Sequence, residues 1–402
     1  METRSDSDGG DGTLSTAARS LRIAMLAPPW IPVPPPAYGG IEAVVALLCD
    51  ELTARGHHVT LFAAPRSRSP ARVRPLLEQP YPDDIGAALY ESDHVACAWD
   101  EIDRAAERGR PFDVVHDHTA FTALAMAARV SAPVVHTLHG VFSDDTAGFY
   151  ERHAHKSHLV AISETQRASA PPGVRPSAVV PNPIVIDDWP MRTEKEDYLL
   201  WIGRMDPVKG ADRAIAAARD AGRRIVLAGP VQSGQEDYFA GIEPQIDGEE
   251  VCFVGEVGGA RRKDLFARAS AVLMPIRWVE PFGMVMIEAL ACGTPVLAFP
   301  EGAANEIVVD GENGFLVADE HEMSEAIGRL GAIDPLRCRE SVASRYGAET
   351  VAEGYEAVYR GALAAARRQR APIERRAPSR GSEATRDAPL PGTARAALQS
   401  AG

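Results

Sequence analysis

Glu280-Pro-Phe-Gly283-Met-Val-Met-Ile-Glu288-Ala-Leu-Ala-Cys-Gly293-Thr-Pro-Val-Leu-Ala298 places two carboxylates in an otherwise apolar run. Residues 282–290 are too densely apolar for a solvent-exposed helix and read as a buried one, stopped by Gly293 and followed by an apolar strand at 295–299. Glu280 stands at the start of that helix, where an acid complements the helix dipole for purely structural reasons. Glu288 lies about two turns further in. An ionised carboxylate on a buried helix costs several kcal/mol unless it is paired or hydrogen-bonded. Glu288 therefore faces a cation, a crevice or a ligand.

The same alternation of strand and helix extends in both directions. Residues 21–27 read as a buried parallel strand, a proline-rich loop at 28–36 follows, and Gly39-Gly40 leads into a helix at 41–55 and a strand at 59–63. That is a βαβ unit. Residues 64–84 show no period and read as an irregular excursion. A helix at 85–108 and strands at 113–118, 133–138 and 158–162 continue the series. From 197 the pattern restarts, with strands at 198–202, 224–228, 250–254 and 272–275. Two such series, joined by a polar stretch at 189–196, imply two doubly wound α/β domains, which bind ligands outside the carboxyl ends of their strands.

Composition sets the outer limits. The 402 residues suffice for two domains of ordinary size, and 45% hydrophobic with 24% charged residues is the balance of a folded globular chain. Net charge is -14; from Arg367 onward eight Arg face three acids, so the tail carries +5 and the rest of the chain -19. A body so acidic argues against a nucleic-acid surface. Cys49, Cys97, Cys252, Cys292 and Cys338 show no C-x-x-C spacing, which fits neither a disulfide framework nor a zinc site and suits a reducing cytoplasm. The N-terminus lacks a signal-peptide core, and no run of about eighteen apolar residues occurs. Residues 1–20 and 369–402 read as a disordered head and tail.

At the predicted strand ends, chemistry-bearing residues recur. Gly39-Gly40 offers unshielded backbone N–H groups near a helix N-terminus, a place receptive to anions. No G-x-G-x-x-G follows the first strand, which weighs against a nicotinamide or flavin dinucleotide enzyme. His116 and His118 fall on one face of their strand by its two-residue period, and His136 and His139 end the next strand. Adjacent strand residues diverge, so His116, Asp117 and His118 do not form a metal site, and no Asp-x-Asp calls for Mg²⁺ or Mn²⁺. In the second half, the loop Gly203-Arg204-Met-Asp-Pro-Val-Lys209-Gly210 brings two cations to a helix N-terminus. A cation there opposes the dipole by roughly 0.3–1 kcal/mol, a cost offset if an anion binds between them. Arg supplies a planar fork and Lys a point charge, a pair suited to a diphosphate.

Arg204, Lys209 and the Glu280/Glu288 pair together resemble the signature of the family-4 retaining glycosyltransferases with the GT-B fold. The resemblance runs from about residue 21 to 360 and extends through Glu306 and the stretch 310–317. It implies an N-terminal Rossmann-like acceptor domain at 21–190 and a C-terminal Rossmann-like donor domain at 191–350, facing each other across a cleft. A helix at 351–368 would then cross back to the first domain. It further implies that Arg204 and Lys209 hold the diphosphate of a nucleotide-sugar donor. Glu280 would contact the donor sugar, Glu288 the ribose, and Gly283 and Met284 would give backbone N–H groups. Gly40 would lie on the donor as well. His118 corresponds to the family's active-site histidine, and His139 falls on the acceptor side.

The expected activity is metal-independent, cofactor-independent transfer of a sugar to a hydroxyl acceptor, whether small molecule, glycan or lipid-linked compound. No strongly basic amphipathic helix supports contact with a membrane. A GT-B epimerase acting on the donor alone, and a non-catalytic nucleotide-sugar-binding module, are the alternatives. The first would change the donor without an acceptor, and the second would bind the donor unchanged.

Overall fold

A computed structural model describes residues 19–37 and 39–370; residues 1–18 of the expected head, the expected tail beyond 370 and Tyr38 lie outside the described residues. The first sheet is built, in chain order, from β1 (Arg22–Leu26), β2 (His58–Ala63), β3 (Arg72–Pro75), β4 (Val114–Asp117), β5 (Val134–Thr137), β6 (His158–Ala161) and β7 (Ala178–Val179). Its spatial order is β3-β2-β1-β4-β5-β6-β7, with every pairing parallel. The second sheet contains β8 (Leu199–Ile202), β9 (Ile225–Ala228), β10 (Val251–Phe253), β11 (Ala271–Met274), β12 (Val296–Ala298) and β13 (Gly314–Leu316), ordered β10-β9-β8-β11-β12-β13 and again parallel. In each half the order reverses beside its first strand, at the β1/β4 and β8/β11 junctions, which is the doubly wound arrangement expected.

Strand β1 shows why its sequence reads as a continuous apolar run. Ile23 and Met25 pack into one cluster with Val45, Leu48 and Leu52 of the helix Gly40–Ala54, whereas Ala24 and Leu26 pack on the other face against Val95, Ala98 and Trp99 of the helix Ala88–Glu107. Both faces are covered, so there is no polar alternation to read. The opposite case is β3, which falls within the stretch expected to be irregular. It is an edge strand carrying Arg72, Val73, Arg74 and Pro75, with only Val73 packed on the core. Edge strands tolerate charge and proline, and an apolar pattern is not required there.

The chain returns to the first domain at its end. Ile184 N–H donates to Tyr346 O at 2.7 Å, and the helix Ala348–Arg370 lays Val351, Ala352, Tyr355 and Tyr359 into the core beside β1 and β5. Glu356 on this helix accepts from Arg55 Nε at 2.9 Å and from Arg360 at 2.7 Å, and sits 2.9 Å from His57 Nε2. The Arg55 hydrogen bond, more than any other contact, holds the Glu356 carboxyl down to about 2. A carboxylate depressed in the folded state stabilises the fold above its unfolded value and loses that contribution as pH falls through its folded value. Glu356→Gln is therefore expected to lower stability at neutral pH, by on the order of 2 kcal/mol, and to flatten the acid limb between about pH 4.5 and pH 2. Denaturant melts of both chains across that window check it. No described helix is long and apolar enough to cross a membrane.

Candidate active site

Between the two sheets lies a cleft of about 800 Å³, reached by Gly39, Gly40 and His139 from the first half and by Arg204, Lys209, Glu280, Gly283, Met284 and Glu288 from the second. These residues come from separate loops and helix starts at the carboxyl ends of the strands, the position that a doubly wound sheet provides.

The helix Met284–Ala291 is shorter than the sequence suggested, because Gly283 takes the N-cap position with φ 89° and Glu280 to Phe282 form the loop before it. That left-handed geometry is a glycine position, and a Cβ there would also stand 2.4 Å from Met286 Cε. Gly302 makes a second close approach: a Cβ on it would lie 2.3 Å from the carbonyl oxygen of Glu280. Ala303 N–H donates to that same oxygen at 2.9 Å, so the Gly302 turn clamps the backbone of Glu280.

Glu280 Oε2 accepts from Lys209 Nζ at 2.5 Å and from the Trp278 indole at 3.0 Å, and the Lys209 ammonium lies 4.5 Å from the centroid of the Trp278 ring. Glu288 is buried and ion-paired with Arg262. Both readings of that carboxylate therefore hold at once: it has a partner cation, and it lines the cleft. Arg204 donates to Gln232 Oε1 at 3.2 Å.

The imidazoles are arranged differently from the sequence-based expectation. His116 is fully buried and bonded on both ring nitrogens, to Tyr359 OH at 2.7 Å and Thr137 Oγ1 at 2.8 Å, and Thr137 is bonded in turn to Tyr355 OH. His136 is held by the buried Asp117. His118, expected beside the transferred sugar, has no exposed surface. Its ring is stacked behind His139, with Nδ1 2.9 Å from His139 Nε2, so His139 is the imidazole that reaches the cleft. The physical reason is the returning C-terminal helix, whose Tyr355 packs against His116 and His118 from behind. Burial pushes both His118 and His139 well down, the latter to about 3, with neighbouring histidines adding to the effect. Both are neutral at physiological pH.

Several lining residues carried no sequence signal. Arg262 and Trp278 are the partners of the two signature carboxylates. Asn182 lines the cleft with a buried Oδ1 that makes no hydrogen bond within the described residues. Gln166 lies behind the cleft and is buried. Its Nε2 donates to Leu138 O at 3.0 Å and Gly140 O at 2.8 Å, on either side of His139. The short helix that carries it, Glu164–Ala168, is tied to the second domain. Ser163 Oγ donates to Pro281 O at 2.6 Å, and Glu306 accepts from the backbone N–H groups of Glu164 and Thr165. One five-residue helix thus joins the His139 loop to the Glu280 loop across the domain boundary. An Asn–Ser–Gln set of this kind is found only once the two loops are seen side by side.

The geometry agrees with comparisons to known proteins. The family described as Glycosyltransferase Family 4 matches residues 38–188, and that described as Glycosyl transferases group 1 matches residues 188–339. A D-inositol 3-phosphate glycosyltransferase of Acidothermus cellulolyticus is 26% identical over 417 residues, covering 85% of this chain and 91% of that protein. A glycogen synthase of Mycobacterium tuberculosis is 30% identical over 304 residues, covering 65% and 71%. Among solved structures, AviGT4, a glycosyltransferase involved in avilamycin A biosynthesis, superimposes with a TM-score of 0.64 at 31% identity over 86% of this chain and 98% of that one. A sucrose-phosphate synthase of Thermosynechococcus elongatus, with a TM-score of 0.70 at 22% identity, shares the fold. With these matches spanning both halves and the cleft between them, the chain belongs to the family-4 glycosyltransferases and has the GT-B fold.

Proposed function

We propose that this chain transfers a sugar from a nucleoside-diphosphate sugar to an acceptor hydroxyl, with retention of anomeric configuration and without a metal ion. The observation that carries the reading is the convergence of Arg204, Lys209, Glu280 and Glu288 on one cleft between two doubly wound domains.

Breaking the anomeric C–O bond leaves negative charge on the departing diphosphate and makes the sugar oxocarbenium-like. Arg204 and Lys209 are placed to meet the first charge, acting as preorganised cations in a partly water-excluded site. Lys209 has donors to spare beyond its bond to Glu280, since an ammonium offers three. Glu280, steadied by Lys209 and Trp278, is assigned to the hydroxyls of the donor sugar. Glu288 takes the ribose, sharing it with Arg262. Backbone N–H groups of Gly283 and Met284 open a helix and suit a phosphate or sugar oxygen. Gly40, at the start of the facing helix Gly40–Ala54, closes over the donor from the first domain.

His139 replaces His118 in the role beside the transferred sugar. In the assignment we favour, His118 Nδ1–H donates to His139 Nε2, which makes His139 the Nδ1–H tautomer and a neutral donor. The acceptor hydroxyl attacks from the face that the diphosphate leaves, and its proton passes to a departing phosphate oxygen. The cleft carboxylates Glu280 and Glu288 are each engaged by a cation, which supports same-face attack over a covalent intermediate.

A thermal-shift panel of uridine, guanosine and adenosine diphosphates and their sugars tests the reading and identifies the base. A ligand bound only by the folded chain adds about 2.7 kcal/mol of stability at a hundredfold excess over Kd. One base is expected to raise Tm clearly above the others. A flat panel would count against a donor site.

A further inference from the structure

The charges around the cleft are divided between its two walls. Asp188, Arg204, Lys209, Glu256, Glu280, Glu288 and the flanking Arg262 and Lys263 all stand on the side of the interdomain junction and second domain. Among the described residues, apart from Asp188 at the interdomain junction, no Asp, Glu, Lys or Arg from the first domain lines it. That wall consists of the turned face of the helix Gly40–Ala54 (Ile41, Ala43, Ala46 and Leu47), with Pro34 and Pro35 from the preceding loop. Its polar groups are few: His139, Asn182 and the backbone at Gly39-Gly40.

Resting on the transferase reading above, we infer that the acceptor is an uncharged compound presenting an apolar body next to its hydroxyl, and that the Ile41–Leu47 face is its seat. The donor's own charge is met by the second domain, which leaves the first domain to recognise the acceptor. A phosphorylated acceptor would have to desolvate its dianion against a wall that carries no cation of its own, while Arg204 and Lys209 across the cleft are taken by the donor and Arg262 is paired with Glu288, a loss that buried charges do not tolerate unpaired. A long polar glucan would leave its hydroxyls unmatched on the same apolar face, because only His139, Asn182 and backbone groups answer them. An apolar ring or chain laid along Ala43, Ala46 and Leu47 removes apolar surface from water on both sides, and its hydroxyl is then directed toward His139 and the unpartnered Asn182 Oδ1. Relatives whose names specify inositol 3-phosphate or glycogen as substrate or product would differ from this chain on that wall.

The test is a set of calorimetric titrations on the full chain. The first adds the nucleoside diphosphate that the thermal panel selects; the second adds 4-nitrophenyl glucoside, inositol 3-phosphate or maltotetraose to the diphosphate-loaded protein. The neutral aromatic glycoside is expected to bind at least tenfold more tightly than either of the others. Leu47→Arg is expected to weaken it at least fivefold while leaving diphosphate affinity unchanged, which also shows that the variant is folded. Ala43→Leu, which keeps the wall apolar, should alter glycoside affinity without admitting inositol 3-phosphate. Equal or tighter binding of inositol 3-phosphate or maltotetraose, or indifference of glycoside binding to Leu47→Arg, overturns the inference while the transferase reading stands. Absence of diphosphate binding in the first titration overturns both.

Discussion

Lys209→Ala and Glu280→Gln are each expected to lower sugar transfer by about 10²–10³-fold, the usual effect of removing one preorganised charge contact from a leaving group or reacting centre. The two side chains form a single unit. Their 2.5 Å ion pair is only 17% exposed at Lys209 and 12% at Glu280, and the Trp278 indole is bonded to one and stacked near the other. Lys209→Ala removes the cation proposed to meet the departing diphosphate and leaves Glu280 a carboxylate with one neutral donor. Glu280→Gln keeps the shape but releases Lys209 from its anchor and weakens the contact with the donor sugar. Because the two act together, the double variant should lose little more than the worse single one, a strongly non-additive cycle. Steady-state kcat/KM for each chain, with Tm measured alongside to confirm folding, decides the matter. Activity near that of the wild type in both single variants would refute the assignment.

The second large effect is expected at a residue that touches neither substrate. Gln166→Ala should reduce kcat about 10²-fold with diphosphate affinity nearly unchanged, the scale of loss that follows an ångström-sized misplacement of a reacting group. Gln166 is 1% exposed and satisfies three backbone groups: it accepts from Ile162 N–H at 2.8 Å and donates to the carbonyls of Leu138 and Gly140. Those two carbonyls bracket His139, so the amide fixes the imidazole that, among the described residues, reaches the cleft. Gln166→Glu makes the control. It keeps the acceptor for Ile162 but points an oxygen at two carbonyl oxygens, so it should fare no better than Ala. The split between kcat and diphosphate Kd separates a positioning role from general destabilisation, which would depress both.

What could be read from the sequence follows from where each signal is stored. Arg204, Lys209, Glu280 and Glu288 stand where a periodic element begins or where a charge interrupts an apolar helix, so their oddity is local. The doubly wound alternation is local too, as β1 and β8 show, since a strand covered on both faces is apolar throughout. Strand β3 escaped notice because an edge strand needs only Val73 on the core. Arg262, Asn182 and Gln166 could not be found, because each owes its place to contacts made across turns of the fold: Arg262 meets Glu288 from 26 positions away, and Gln166 meets Gly140 from the same separation. The exchange of His118 for His139 has a similar origin. Both follow the carboxyl ends of neighbouring strands, His139 two residues further along in register, and Tyr355, arriving from the end of the chain, packs against His118.

The central claim is that Arg204 and Lys209 form the seat of a diphosphate. Calorimetric titration of the preferred nucleoside diphosphate into the wild-type chain and into an Arg204→Ala/Lys209→Ala chain tests it most directly. A loss of at least a hundredfold in affinity, with folding intact, is the predicted result, whereas equal affinity in the two chains would contradict it.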